Sequence, residues 1–120
     1  MQQIGGTIKV PYPPSANRIW RYYRGRPTKS KDYRLWLDHS ALLIQATWQH
    51  KTITAPVHIG FAVGVPDKRK RDLDNRLKPC LDLLEAAGVL ENDHLVHSLA
   101  AAWDHNLKAE VLITIRRLTA

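Results

Sequence analysis

Val57-His58-Ile59-Gly60-Phe61-Ala62-Val63-Gly64-Val65 decides the fold. Large apolar side chains fill every odd position, while a histidine, two glycines and an alanine fill the even ones. Successive side chains of a strand point to opposite faces, so this alternation reads as a strand with one face in a core. Upstream, Tyr33, Leu37, Ala41, Ile44 and Trp48 recur at three- and four-residue steps, which predicts a helix from the cap Ser30 to about His50. Downstream, Leu77, Leu81 and Leu84 predict a second helix, closed by Gly88. Gly6 to Tyr12 alternates as an opening strand, with Ile8, Val10 and Tyr12 on one face and Thr7 and Lys9 on the other. Pro11, Pro13 and Pro14 stop it. Leu95 to Trp103 and Glu110 to Arg116 read as two further strands joined through Asp104-His105-Asn106. Ser15 to Lys29, punctuated by Gly25 and Pro27, reads as an extended basic loop. The expected order is β-α-β-α-β-β. That makes an α/β (α+β) single domain over residues 1–120, a mixed open sheet of about four strands packed with two to three helices.

Composition narrows the partners. Eighteen Lys and Arg against eleven Asp and Glu leave a net charge of +7, which points to a polyanion such as nucleic acid ahead of an acidic membrane surface. Apolar residues at 44% and charged residues at 24% exclude wholesale disorder. A single cysteine, Cys80, excludes an internal disulfide and a Cys-based zinc site. Met1-Gln2-Gln3-Ile4-Gly5-Gly6 has neither the basic nor the apolar region of a signal peptide, and no apolar run approaches the length of a membrane span. A cytoplasmic protein with no membrane partner is expected. No glycine-rich phosphate loop is present, so no nucleotide cofactor is expected.

The charge is concentrated in two places. No acid precedes Asp32, yet Lys9, Arg18, Arg21, Arg24, Arg26, Lys29 and Lys31 do, interleaved with Tyr12, Trp20, Tyr22 and Tyr23. Such bases contact phosphates, and aromatic faces stack on exposed bases. The second concentration is Lys68-Arg69-Lys70-Arg71, followed by Arg76 and Lys78. Arg18, Arg21, Arg24, Arg26, Lys68, Arg69, Lys70 and Arg71 are the candidate nucleic-acid contacts. A solvated face that keeps the chain soluble is the plainer reading of either run taken alone.

Acids inside the second run are the anomaly. Arg71-Asp72-Leu73-Asp74-Asn75-Arg76 puts two carboxylates where they would repel a phosphate. In an extended segment residues two apart point the same way, so Asp72 and Asp74 would converge. Two carboxylates at about 4 Å repel by roughly 4 kcal/mol at an effective dielectric of 20, so a positive group must lie between them. A hard divalent cation, Mg²⁺ or Mn²⁺, supplies it and makes the site chemical. Alternatively, one Asp caps the second helix and the other forms a surface ion pair. Glu91-Asn92-Asp93 offers a third acid between the second helix and the next strand.

Other candidates read as structural. His94 and His97 are three apart and fall on opposite faces of a strand. Cys80 packs in the second helix as a small apolar residue. Ser30 is a cap, and Trp36, Trp48 and Trp103 belong to a core or interface, whereas Trp20 stands in the basic loop where it can meet a base.

Val65 to Asn75, Lys78 and Gly88 to Val96, with the opening Val10-Pro11-Tyr12-Pro13-Pro14-Ser15-Ala16-Asn17-Arg18 and Arg24-Gly25-Arg26, resemble the Holliday junction resolvases of the RusA family. The agreement runs over nearly the whole chain. The resemblance implies a homodimeric, Mg²⁺-dependent endonuclease that resolves four-way DNA junctions by symmetric nicks in recombination and repair. It implies Asp72, Asp74 and Asp93 as the acidic residues holding the metal, Lys78 as the catalytic-site lysine, and Lys68 to Arg71 as the DNA-contacting loop. Pro79, directly after Lys78, requires the second helix to start near Arg76 to Lys78 or to have an irregular first turn. Glu91 is the rival to Asp93 as third ligand. The reading from another class is a non-catalytic nucleic-acid-binding module, and Mg²⁺-dependent scission of a four-way junction separates the two.

Overall fold

The computed structural model describes residues 5–118, without the side chains of Arg18, Arg21 and Tyr23. Six strands and two helices follow in the order β1 (Gly5–Pro11), β2 (Trp20–Tyr23), β3 (Arg26–Lys29), α1 (Lys31–Thr47), β4 (Val57–Gly64), α2 (Leu77–Ala86), β5 (Val96–Asp104) and β6 (Glu110–Arg117). Short 3-10 turns stand at Ala16–Arg18, Asp74–Arg76 and Asp93–Leu95.

Four strands form one mixed sheet in the order β1-β6-β4-β5. β6 runs antiparallel to both β1 and β4, whereas β5 is parallel to β4. The alternation of β4 does what its pattern predicts: Val57, Ile59, Phe61 and Val63 are all buried. Cross-strand partners extend that row, with Ile113 of β6 opposite both Phe61 and Ile8, and Val111 opposite both Val63 and Val10. Into one cluster with this face pack Ile44 of α1 and Cys80, Leu83 and Leu84 of α2, all buried. β5 and β6 are consecutive yet do not pair, because β4 lies between them. α2 is the crossover that a parallel β4–β5 pair requires.

Local chemistry fixes the element ends. Ser30 accepts the Tyr33 N–H and caps α1. α1 stops at Thr47 rather than near His50, since Trp48 turns extended and packs beside the core. α2 begins at Leu77, so Pro79 is its third residue, where a helix has no use for the missing N–H. Gly88, at φ +77°, closes it, and the next N–H, of Val89, bonds Leu84 O. The last residue of β4, Gly64, is glycine for a steric reason: a Cβ there would lie 2.2 Å from Lys108 O.

One expectation fails. Ser15 to Lys29 is not a featureless loop but a 3-10 turn followed by the β2–β3 hairpin, with Trp20 opposite Lys29 and Tyr23 opposite Arg26. Arg24 and Gly25, at φ 52° and 77°, form its two-residue connection, and positive φ at both positions is what a type I′ turn needs. The ribbon is a separate two-stranded sheet and β3 is exposed throughout. Trp20 and Tyr22 of β2 are exposed as well, so no core-facing apolar alternation marks the hairpin in the sequence.

Candidate functional site

The run from Asp72 to Arg76 feeds directly into α2. Leu73 has helical dihedrals (φ −60°, ψ −45°), and Asp74 opens the 3-10 turn. The expected extended Asp-Leu-Asp is therefore corrected: Leu73 winds the chain, and the period-two argument for convergence no longer applies. The capping alternative fails too. The residues in the cap positions of the 3-10 turn and of α2 are Leu73 and Arg76, and neither makes a side-chain cap. Among the described residues neither Asp72 nor Asp74 enters an ion pair, and Asp72 receives only a long contact, 3.5 Å, from Asn75 Nδ2. Both stand exposed at the mouth of α2.

Lys78, in the first turn of α2, is the hub of the neighbouring cluster. Its Nζ lies 3.0 Å from Asp82 Oδ1 and 3.5 Å from Asp93 Oδ2. The other oxygen of Asp82 accepts the Tyr33 hydroxyl at 2.7 Å, and Glu85 accepts the Asp93 N–H. Asp93 is thereby held against the face of α2 that carries Lys78, Asp82 and Glu85. The hydrogen bond to Asp82 raises the Lys78 pKa, outweighing desolvation, so the ammonium stays charged. Burial, and then the same carboxylate, push the Tyr33 hydroxyl up.

Sequence reasoning missed Asp82, Glu85 and Tyr33. The spacing of Lys78, Asp82 and Glu85 at i, i+4 and i+7 was available as one face of a helix, but the Tyr33 bond spans the two helices and has no local signal. Glu91 is exposed and its N–H bonds Ile53 O, so the structure brings Asp93, not Glu91, to Lys78. Asn92 is occupied, accepting the His94 N–H as a cap.

The second basic run is folded around an acid. Asp67 accepts Arg71 Nη1 and Nη2 at 2.6 and 2.9 Å, the Arg69 N–H at 2.8 Å and Arg69 Nε at 3.2 Å. These bonds hold its carboxyl well below the usual carboxylate range, the Arg71 fork contributing most. Arg71 is 14% exposed and lies 5.8 Å from the centroid of the Tyr12 ring. The buried Arg76 lies 5.3 Å from the same ring and donates to Pro13 O. Lys68, Arg69 and Lys70 remain exposed. Two clefts of about 440 Å³ flank this loop, one reaching Tyr12 and Asn17, the other Asp72 and Trp103. Arg24 and Arg26 are exposed on the hairpin, while the side chains of Arg18 and Arg21 lie outside the described residues.

Among the described residues no histidine or cysteine joins a group of three metal-ligating side chains. His94 Nδ1 lies 2.6 Å from Asn92 Oδ1 and His97 is exposed. Cys80 is fully buried, and desolvation pushes its thiol up to about 12.

The donor set fits one kind of metal. Among the described residues no three His, Cys, Asp or Glu stand together as a cage. Mg²⁺ needs none, because it keeps several waters and binds through one or two carboxylates completed by substrate phosphate. Exposed, unpaired carboxylates such as Asp72 and Asp74 are ligands of that class.

The chain is similar to known proteins over most of its length. Residues 11–116 match the family model described as Endodeoxyribonuclease RusA. The chain is 37% identical over 87 residues to "Crossover junction endodeoxyribonuclease RusA" of Escherichia coli K12, covering 72% of each chain. It is 37% identical over 86 residues to the protein of the same name from Enterobacteria phage 82, again 72% of each. With the Shigella sonnei protein of that name it shares 36% over 87 residues, also 72% of each.

Proposed function

The chain belongs to the RusA family of endodeoxyribonucleases, and on that premise we propose that it resolves four-way DNA junctions by paired, Mg²⁺-dependent nicks in recombination and repair. The observation that carries this reading is the pair Asp72 and Asp74, which stand exposed beside the basic loop and neither cap a helix nor join an ion pair among the described residues. Acids in such a place weaken phosphate binding. Their use is chemical.

Asp72, Asp74 and Asp93 would hold the cation, which when bound polarises the phosphate and offsets the charge that develops on it. Mn²⁺ has the same preference for oxygen ligands and is a plausible substitute. Lys78 remains an ammonium, fixed by Asp82 against Tyr33, and donates a hydrogen bond to the phosphate or to the departing oxygen. Asp82 is a positioning residue, since it acts through Lys78. Lys68, Arg69 and Lys70, with Arg24 and Arg26 of the hairpin, contact backbone phosphates and set the register of the DNA.

Two symmetric nicks need two sites. A chain with one acidic site provides them as a two-fold homodimer, in which a single surface patch meets its copy. Sedimentation should give a dimer at micromolar concentration, and a fully active monomer would overturn that part. A synthetic four-way junction incubated with the protein and Mg²⁺ should be nicked in opposing strands, and linear duplex of the same sequence should not. Tight binding with no scission at any Mg²⁺ or Mn²⁺ concentration would leave a binding module instead. No helix among the described residues is long and apolar enough to cross a membrane.

A further inference from the structure

The β2–β3 hairpin is built for something other than packing. Trp20 and Tyr22 are two apart on β2, so they share one face of the ribbon. They are 55% and 77% exposed, the most exposed pair of aromatics among the described residues. The hairpin's charges are all positive, with Arg24, Arg26 and Lys29 exposed and no acid between Trp20 and Lys29. Its base is fixed: the Ser30 N–H bonds Ile19 O at 2.7 Å, and Ile19 is buried. Trp20 and Lys29, paired across the ribbon, wall a cleft of about 560 Å³ whose opposite side is the α2 face with Lys78, Asp82 and Glu85.

We propose that the Trp20–Tyr22 face is a stacking platform for unpaired bases at the branch point of a DNA substrate. The proposal rests on the junction reading above and deepens it. Every base offers a π-face, so aromatic side chains hold unpaired bases whatever their sequence, while neighbouring cations hold the backbone. In an uninterrupted duplex those faces are covered by neighbouring pairs, and a branch point uncovers them. The platform therefore discriminates by structure. Its place opposite Lys78 puts the stacked base in the cleft that the reacting strand enters.

The test needs no metal and no turnover. A four-way junction carrying 2-aminopurine at the branch point, and the matching linear duplex, are titrated with wild type, Trp20→Ala, Tyr22→Ala and Trp20→Phe. Wild type should change 2-aminopurine emission on the junction, and Trp20→Ala and Tyr22→Ala should each bind it about tenfold more weakly while binding duplex as before. Trp20→Phe, which keeps a ring, should recover most of the affinity and the emission change. Alanine variants that bind the junction like wild type, or that lose junction and duplex equally, overturn the platform. Wild type with no preference for junction over duplex overturns the junction reading itself, and the platform with it.

Discussion

Arg71 grips Asp67 with both terminal nitrogens, at 2.6 and 2.9 Å, inside the most basic stretch of the chain. A planar guanidinium facing a carboxylate in this way is fixed in orientation as well as paired. Arg71 is thereby committed to the shape of the loop, stacked over Tyr12, and the loop's exposed cations are Lys68, Arg69 and Lys70.

Asp67→Asn separates shape from charge. Removing an acid beside phosphates should strengthen DNA binding if only net charge matters. Loss of the clasp should instead weaken junction binding, by about fivefold in metal-free titrations. Lys68→Gln with Lys70→Gln should lower the slope of log K against log salt by roughly two units. Neutralising Lys108, Arg116 and Arg117 should change it far less. Tighter binding by Asp67→Asn would show that the fork has no part in recognition.

Asp72→Asn, Asp74→Asn and Asp93→Asn should each abolish nicking, by at least about a hundredfold, while junction binding without metal is kept or improved. Asn keeps the size and one oxygen but not the charge that holds a divalent cation. Nicking rates with Mg²⁺ and affinities without it, on the same folded variants, check this. Retained nicking in all three would remove the acids from the reaction.

Lys78 carries a pH dependence whose sign follows from its neighbours. Its folded pKa is raised, so its interactions with Asp82 and Asp93 are complete below the ordinary lysine value and are lost as pH rises through the folded one. Asp82→Asn removes the largest cause of that rise. It should bring the Lys78 titration down, visible in ¹⁵N-detected NMR, and should move any alkaline loss of nicking to lower pH. It should also lower the pKa of Tyr33, which shares the carboxylate. An unchanged Lys78 titration would deny Asp82 its positioning role.

Gly64→Ala should destabilise the fold by about 3 kcal/mol, because a Cβ meets the backbone of Lys108 and Glu110, at 2.2 and 2.6 Å, rather than a side chain that can move. Urea unfolding measures the loss. Gly60→Ala, whose nearest atom would be 3.9 Å away, is the control and should cost far less.

Cys80 should resist thiol reagents in the native protein, being fully buried with its pKa pushed up to about 12. Modification should appear only with unfolding, so its rate against denaturant reports global opening. Rapid labelling of native protein would place Cys80 at a surface.

The periodic elements were legible in sequence for one reason: each has an apolar face that must be buried. β4, α1 and β6 announced themselves by the two- and three-to-four-residue spacing that burial imposes, and Ser30 and Gly88 by the chemistry of helix ends. In the β2–β3 hairpin β3 is exposed throughout and so are Trp20 and Tyr22, so these residues showed only as charge and aromatics. The anomaly of acids within a basic run also stood in the sequence, because charge is local.

Where those charges go was decided by tertiary structure. Leu73 winds the Asp72–Asp74 segment against its expected extension. The chain after α2 returns Asp93 to Lys78, and Tyr33 reaches Asp82 from another helix. Arg71, which the sequence shows only as one more base of the run, turns to Asp67 and Tyr12. Such pairings depend on distances between segments remote along the chain, and packing of the core sets those distances.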